Sequence, residues 1–183
     1  MSDYLIIIPA RFKSARLLGK PLRKIGGETM IKRVYDKCVV TGLDTVVATD
    51  DTRIARECTD NNMEFIMTSP DCLTGTDRVA DAASIKTKQY AGYINVQGDE
   101  PFVNPDDILK IAEEMTPRAF DRKTDEVFCG MCRITEKEQY YSPHVPKIVF
   151  NQDKPNRSGL LRYISRAPIP AVKEGYDWPE GNA

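Results

Sequence analysis

Arg11, Lys13, Arg16, Lys20, Arg23 and Lys24 crowd one stretch, and no acidic residue falls between Asp3 and Glu28. Cations this dense repel one another unless an anion lies among them. Gly19 and the small residues Ala10, Ser14 and Ala15 let backbone N–H groups approach such an anion closely. A solvated basic surface loop is the alternative reading. A second candidate is Thr74-Gly75-Thr76-Asp77-Arg78. As a helix start it offers N–H groups, hydroxyls and Arg78 at the positive end of a helix dipole, suited to an anion or a base edge. Plain N-capping by Thr74 or Thr76 explains the same residues. The third is Gln97-Gly98-Asp99-Glu100-Pro101. A carboxylate set off by glycine at a strand end suits Mg²⁺, which prefers oxygen and keeps several waters. A turn aspartate bonding its own backbone is the competing account.

Each stretch follows or opens a predicted element. Tyr4 to Ile8 is apolar and rich in β-branched residues, as in a strand buried on both faces, with Pro9 expected to end it. Helical spacing predicts a helix from Thr29 to Val40, stopped by Gly42. Strands at Thr45–Thr49, Phe65–Met67 and Tyr93–Gln97 alternate with helices at Thr52–Asn61, from Thr74 onward and at Pro105–Met115. That alternation is the pattern of a doubly wound parallel sheet. In such sheets ligands sit beyond the carboxyl ends of the strands, where all three candidate stretches fall. After a polar loop from Pro117 to Glu126, strands are predicted at Val127–Ile134, Lys147–Phe150 and Leu160–Ile164, as an antiparallel extension or small subdomain. Arg166 to Ala183 reads as an irregular tail. The expectation is one domain over 1–183, with a β/α part at 1–116 and a β-rich extension with its tail at 117–183.

The bulk composition narrows the classes. The fractions of 41% hydrophobic and 29% charged residues fit a soluble globular protein, and a net charge of −1 gives no global pull toward nucleic acid or membrane. No apolar run would span a bilayer, and a strand beginning this near the N-terminus leaves no room for a secretion signal. The five cysteines are irregularly spaced, which favours reduced thiols in the cytosol. Cys129 and Cys132 form a CxxC pair inside the expected Val127–Ile134 strand, so core packing is expected of them over metal or redox work. No Walker sequence and no GxGxxG follows a strand, which leaves P-loop hydrolysis and the usual NAD binding unsupported. His144 is the only histidine and has no neighbouring nucleophile.

Read together, Ile8-Pro9-Ala10-Arg11, Ser14 and Arg16-Leu17-Leu18-Gly19-Lys20-Pro21-Leu22 resemble the opening motif of the CMP-Kdo synthetases, the 3-deoxy-manno-octulosonate cytidylyltransferases. Leu18 stands where that family usually has proline. Val47 to Asp51, Thr74 to Ala80, Asn95 to Pro101, Pro143 to Val149 and Ile164 to Pro170 resemble its later motifs in order, with His144 and Pro146 as departures. The resemblance implies an α/β, Rossmann-like nucleotidyltransferase fold. It implies transfer of CMP from CTP to Kdo with release of pyrophosphate, a step in lipopolysaccharide supply in the cytoplasm. A sialic or other ulosonic acid is the alternative acceptor, and nucleotide binding without turnover a further alternative. It implies that Arg11, Arg16 and Lys20 hold the triphosphate, with Ser14 in the same loop, and that Ala10, Gly75 and Arg78 recognise cytosine. Gln97 would lie near the nucleotide sugar or the acceptor, and Asp99 would hold Mg²⁺. A homodimer is compatible with the family pattern. Family members also continue past the Ile164–Pro170 motif, so a fragment or a short homologue is expected here.

Overall fold

The computed structural model describes residues 3–13, 17–119, 126–152 and 159–171; Ser14 and Arg16 lie outside these. The chain divides into two compact units, Met1–Gly130 and Met131–Ala183. In the first, the order is β1 (Tyr4–Ala10), β2 (Lys24–Ile25), β3 (Glu28–Thr29), α1 (Met30–Val39), β4 (Asp44–Thr49), α2 (Thr52–Asp60), β5 (Phe65–Met67), α3 (Gly75–Ile85), β6 (Gly92–Asn95) and α4 (Pro105–Ala119). The main sheet runs β5-β4-β1-β6, all parallel. β1 is central and every one of its residues is buried, as its unbroken apolar run requires.

Strand order reverses at β1. The chain steps outward through β4 and β5, then returns through α3 to place β6 on the other side of β1. That reversal opens a crevice at the carboxyl ends of β1 and β6. The two faces of the sheet are covered differently. Ile6, Ile8 and Val47 pack with Ile31 and Val34 of α1, Ile54 of α2 and Ile108 and Ala112 of α4. Leu5, Ile7, Val46 and Ala48 pack with Val79, Ala82 and Ala83 of α3. Among the described residues of this unit, α3 is the helix packed on that face, and its N-terminus arrives at the crevice.

Local chemistry explains the boundaries. Thr29 caps α1 by accepting from the Lys32 N–H. Gly42, at φ 75°, turns the chain after α1. Gly26 and Gly27, at φ 58° and 92°, form the two-residue turn that joins β2 to β3.

Several expectations need correction. Pro9 does not end β1, which pairs with β4 through Pro9 and Ala10. The Ile7 carbonyl accepts from Val96, so the N–H that Pro9 lacks would point to the same side, where β6 has already finished. A proline is tolerated where no ladder bond is lost. The α4 helix continues past Met115 to Ala119, through part of the expected loop.

Val127–Ile134 forms no strand among the described residues. Its residues carry β propensity, but propensity reflects a fit to a half-buried surface, and Val127 is 91% exposed. Cys129 and Cys132 are exposed, contrary to the expected core packing. By contrast Cys38 and Cys58 sit in the core, where burial pushes their thiols up to about 12.

The second unit holds α5 (Lys137–Tyr141), which the sequence reading missed, and a hairpin of β7 (Lys147–Gln152) with β8 (Gly159–Ser165). Lys147 is buried, and its ammonium donates to the Ser142, Val145 and Arg166 carbonyls at 2.6, 2.9 and 3.1 Å. Arg166 in turn donates to the Pro143 carbonyl at 3.0 Å.

Candidate nucleotide-binding cleft

The crevice at the end of β1 and β6 is a cleft of about 330 Å³. Three segments line it. Pro9, Ala10 and Arg11 come from the end of β1, with Leu17, Lys20 and Pro21 from the returning side of the basic loop. Thr74, Gly75 and Arg78 come from the start of α3, and Gln97, Gly98 and Asp99 from the end of β6. Thus Ala10, Arg11, Lys20, Gly75, Arg78, Gln97 and Asp99 meet around one space, although they are spread over the first hundred residues. Ser14 and Arg16 fall outside the described residues.

Glycines allow the segments to close up. A Cβ at Gly98 would lie 2.7 Å from the Pro9 carbonyl oxygen, so only glycine lets the end of β6 lie against the end of β1. A Cβ at Gly75 would come within 3.2 Å of Gln97 Oε1. The opening of α3 carries a full capping box. Thr74 Oγ1 accepts from the Asp77 N–H at 3.1 Å, and the Asp77 carboxylate accepts from the Thr74 N–H at 2.8 Å. The capping account of Thr74 is therefore correct, and it does not compete with a binding role. It fixes the helix start that faces the cleft.

The charged groups differ in how firmly they are held. The Lys20 ammonium pairs with Asp99 Oδ2 at 2.6 Å, and both side chains are well exposed. Arg78 is buried. Its guanidinium meets Asp50 Oδ1 at 3.3 Å, Thr68 Oγ1 at 2.6 Å and the Ser69 carbonyl at 3.5 Å. Arg11 reaches the Leu73 carbonyl at 3.4 Å, which bridges the basic loop to the segment before α3. Gln97 donates to Asn95 Oδ1 at 2.9 Å. The arrangement supplies cations and backbone dipoles for an extended anion, with one carboxylate, Asp99, at its edge.

Sequence reasoning missed the groups that support these residues. Asp50 enters the sequence reading only within the Val47–Asp51 motif and Thr68 not at all, yet both anchor Arg78. Phe12 and Arg53 also escaped notice, and Arg53 lies over the Phe12 ring at 3.3 Å from its centroid. Asp51 holds Arg53 by a two-pronged pair, which keeps the Asp51 carboxyl below its ordinary value. The signal that could have found them is an aspartate directly before the predicted Thr52 helix with an arginine inside its first turn, at Asp51 and Arg53.

A parallel β/α sheet with its cleft at the strand-order reversal, walled by a basic loop and a capped helix start, fits a nucleotide-handling class. The family model for cytidylyltransferases matches residues 5–176, and the chain belongs to that family. Among individual proteins, it is similar to the 3-deoxy-manno-octulosonate cytidylyltransferase of Marinobacter nauticus. The two are 37% identical over 184 residues, covering 99% of this chain and 66% of that relative. The Coxiella burnetii protein of the same name is 39% identical over 171 residues, covering 92% of this chain and 65% of that relative. The chain thus spans 65–66% of the length of these curated relatives.

In structure it is similar to CMP:2-keto-3-deoxy-manno-octonic acid synthetase complexed with CTP. The TM-score is 0.76 at 31% identity, covering 94% of this chain and 68% of that one. A cytidylyltransferase from Leptospira borgpetersenii shares the fold, with a TM-score of 0.53 at 21% identity over 62% of this chain and 49% of that one. The fold is therefore mixed α/β with the parallel sheet expected from the alternation of elements, in the Rossmann-like form that the resemblance implies. No helix among the described residues is long and apolar enough to cross a membrane.

Proposed function

We propose that this chain transfers CMP from CTP to 3-deoxy-manno-octulosonate (Kdo), giving CMP-Kdo and pyrophosphate. The observation that carries the reading is the meeting of Arg11 and Lys20, the capped start of α3 and Asp99 around one cleft. The names of the relatives support the choice of nucleotide and acceptor.

The triphosphate lies along the basic wall, where Arg11 and Lys20 neutralise the outer phosphates, with Arg16 and Ser14 assigned to the same loop. Gly75 and Ala10 offer backbone groups to the cytosine edge. Arg78, tied to Asp50 and Thr68, is a fixed cation that lines the same cleft. Gln97 faces the sugar of the nucleotide or the acceptor. The 2-hydroxyl of Kdo attacks the α-phosphorus in line. A phosphorus–oxygen bond to Kdo forms, the bond to the β-phosphate breaks, and the hydroxyl proton leaves to solvent. Catalysis of this kind rests on alignment and charge neutralisation more than on covalent help. Arg11 and Lys20 stabilise the charge that accumulates on departing pyrophosphate.

The donor set suits Mg²⁺. Asp99 is an exposed carboxylate beside the phosphate-facing cations, and Mg²⁺ takes one or two protein carboxylates with the remaining ligands from phosphate and water. When bound, the ion would supply further charge neutralisation to the triphosphate. Lys20 and Asp99 neutralise each other until then. An exposed pair is worth about 0–1 kcal/mol, so a nucleotide separates it at little cost. A cytoplasmic setting, lipopolysaccharide supply and pairing with a second copy belong to this same reading.

The test is pyrophosphate release from CTP with Kdo, sialic acid and other ulosonic acids as acceptors. Release with Kdo foremost, reduced by about 10²–10³-fold in Asp99→Asn, is expected from the loss of one preorganised charged group. CTP binding without product from any acceptor would contradict the proposal.

A further inference from the structure

The basic loop leaves β1 at Arg11 and returns at Lys20, and both cations line the cleft. What brings them together lies just inside the loop. The Gly19 N–H donates to the Phe12 carbonyl at 2.9 Å, closing the loop at its neck. Gly19 has φ 66°, and a Cβ there would sit 2.9 Å from Phe12 Cε2. The ring therefore packs directly on a residue that must be glycine for its backbone as well.

The same ring carries the Arg53 guanidinium, whose central carbon is 3.3 Å from the ring centroid. A planar cation at that distance covers an aromatic face. Arg53 is fixed by Asp51, with Nε to Oδ1 at 2.9 Å and Nη2 to Oδ2 at 2.7 Å. Asp51 also accepts from the Arg53 backbone N–H at 3.0 Å, and its own N–H donates to Thr49 Oγ1 at 3.2 Å. The contacts thus run from the end of a central strand and the start of α2, through a carboxylate fork, onto a ring, to the loop neck. A lysine could replace the charge of Arg53 but not its flat, two-pronged shape. Arg53 is exposed and is not among the residues lining the cleft.

We propose that Asp51, Arg53 and Phe12 form a positioning clip that holds Arg11 and Lys20 side by side for the triphosphate. The clip rests on the cytidylyltransferase reading above. Its members act through the loop and touch no reacting atom.

The experiment pairs amide exchange at Gly19 in the ligand-free protein with calorimetric titration of CTP, in wild type, Arg53→Ala, Arg53→Lys and Phe12→Leu/Arg53→Ala. Arg53→Ala is expected to speed Gly19 exchange and weaken CTP binding by about fivefold, the scale of one lost cation–aromatic contact. Arg53→Lys is expected not to restore either, and the added Phe12→Leu to speed Gly19 exchange further, since the ring still packs on Gly19 once Arg53 is gone. Thermal melts check that each variant is folded. Restoration by lysine, or an Arg53→Ala variant unchanged in Gly19 exchange or in CTP affinity, would overturn the clip alone. A wild-type chain with no affinity for CTP would overturn the nucleotide reading and the clip's purpose with it.

Discussion

The two walls of the cleft use the same kind of ion pair for opposite ends. On the loop wall, Lys20 and Asp99 meet at 2.6 Å with side chains 36% and 50% exposed. On the helix wall, Arg78 and Asp50 meet at 3.3 Å with side chains 3% and 21% exposed. The shorter pair is the weaker one, because water screens it and competes for both partners. The longer pair is sheltered, and removing one partner would leave a charge in the interior. On the proposed reading, the loop wall would exchange its partners for phosphate and cation, whereas the sheltered pair of the helix wall would stay in place.

Breaking the helix wall should have the largest effect on stability. Asp50→Ala strands the Arg78 guanidinium and is expected to cost about 3 kcal/mol in a urea unfolding series. Lys20→Ala should shift the same curve by less than about 1 kcal/mol. Equal losses in the two variants would erase the contrast.

The smallest expected effect comes from the Asp51 fork beside the loop wall. Its carboxyl is held below the ordinary value of 3.8 by Arg53, so the stabilisation is present in full above that value and lost as pH falls through the folded value. The melting advantage of wild type over Arg53→Ala should be constant from about pH 8 to pH 5 and shrink below about pH 4. An advantage that grows on acidification would show that Asp51 is not the partner.

The helix wall was also the more legible in sequence. The Thr74–Arg78 stretch, with Thr74 or Thr76 as N-cap, marks the start of α3, and burial of β1 follows from its apolar run alone. The candidate residues converged because the β/α alternation fixes which strand ends share a crevice. What escaped notice depended on contacts between distant residues. Nothing near Arg78 in sequence says that it will be buried against Asp50 and Thr68. Nothing near Phe12 says that Arg53 will lie on its ring.

The Val127–Ile134 run misled for the complementary reason. β-branched residues signal a strand only where another strand and a core receive them, and no local pattern reports that. α4 runs past Pro117 to Ala119, where the sequence predicts a loop, and its apolar face packs through Ile108, Ala112 and Met115.

Titration of CTP with Mg²⁺ into wild type and Lys20→Ala tests the exchangeable wall most directly. Saturable binding to wild type, weakened at least about tenfold in Lys20→Ala, is expected from the loss of one phosphate-facing charge. Saturable binding of equal strength in both, or none in either, would contradict the assignment of this cleft to the triphosphate.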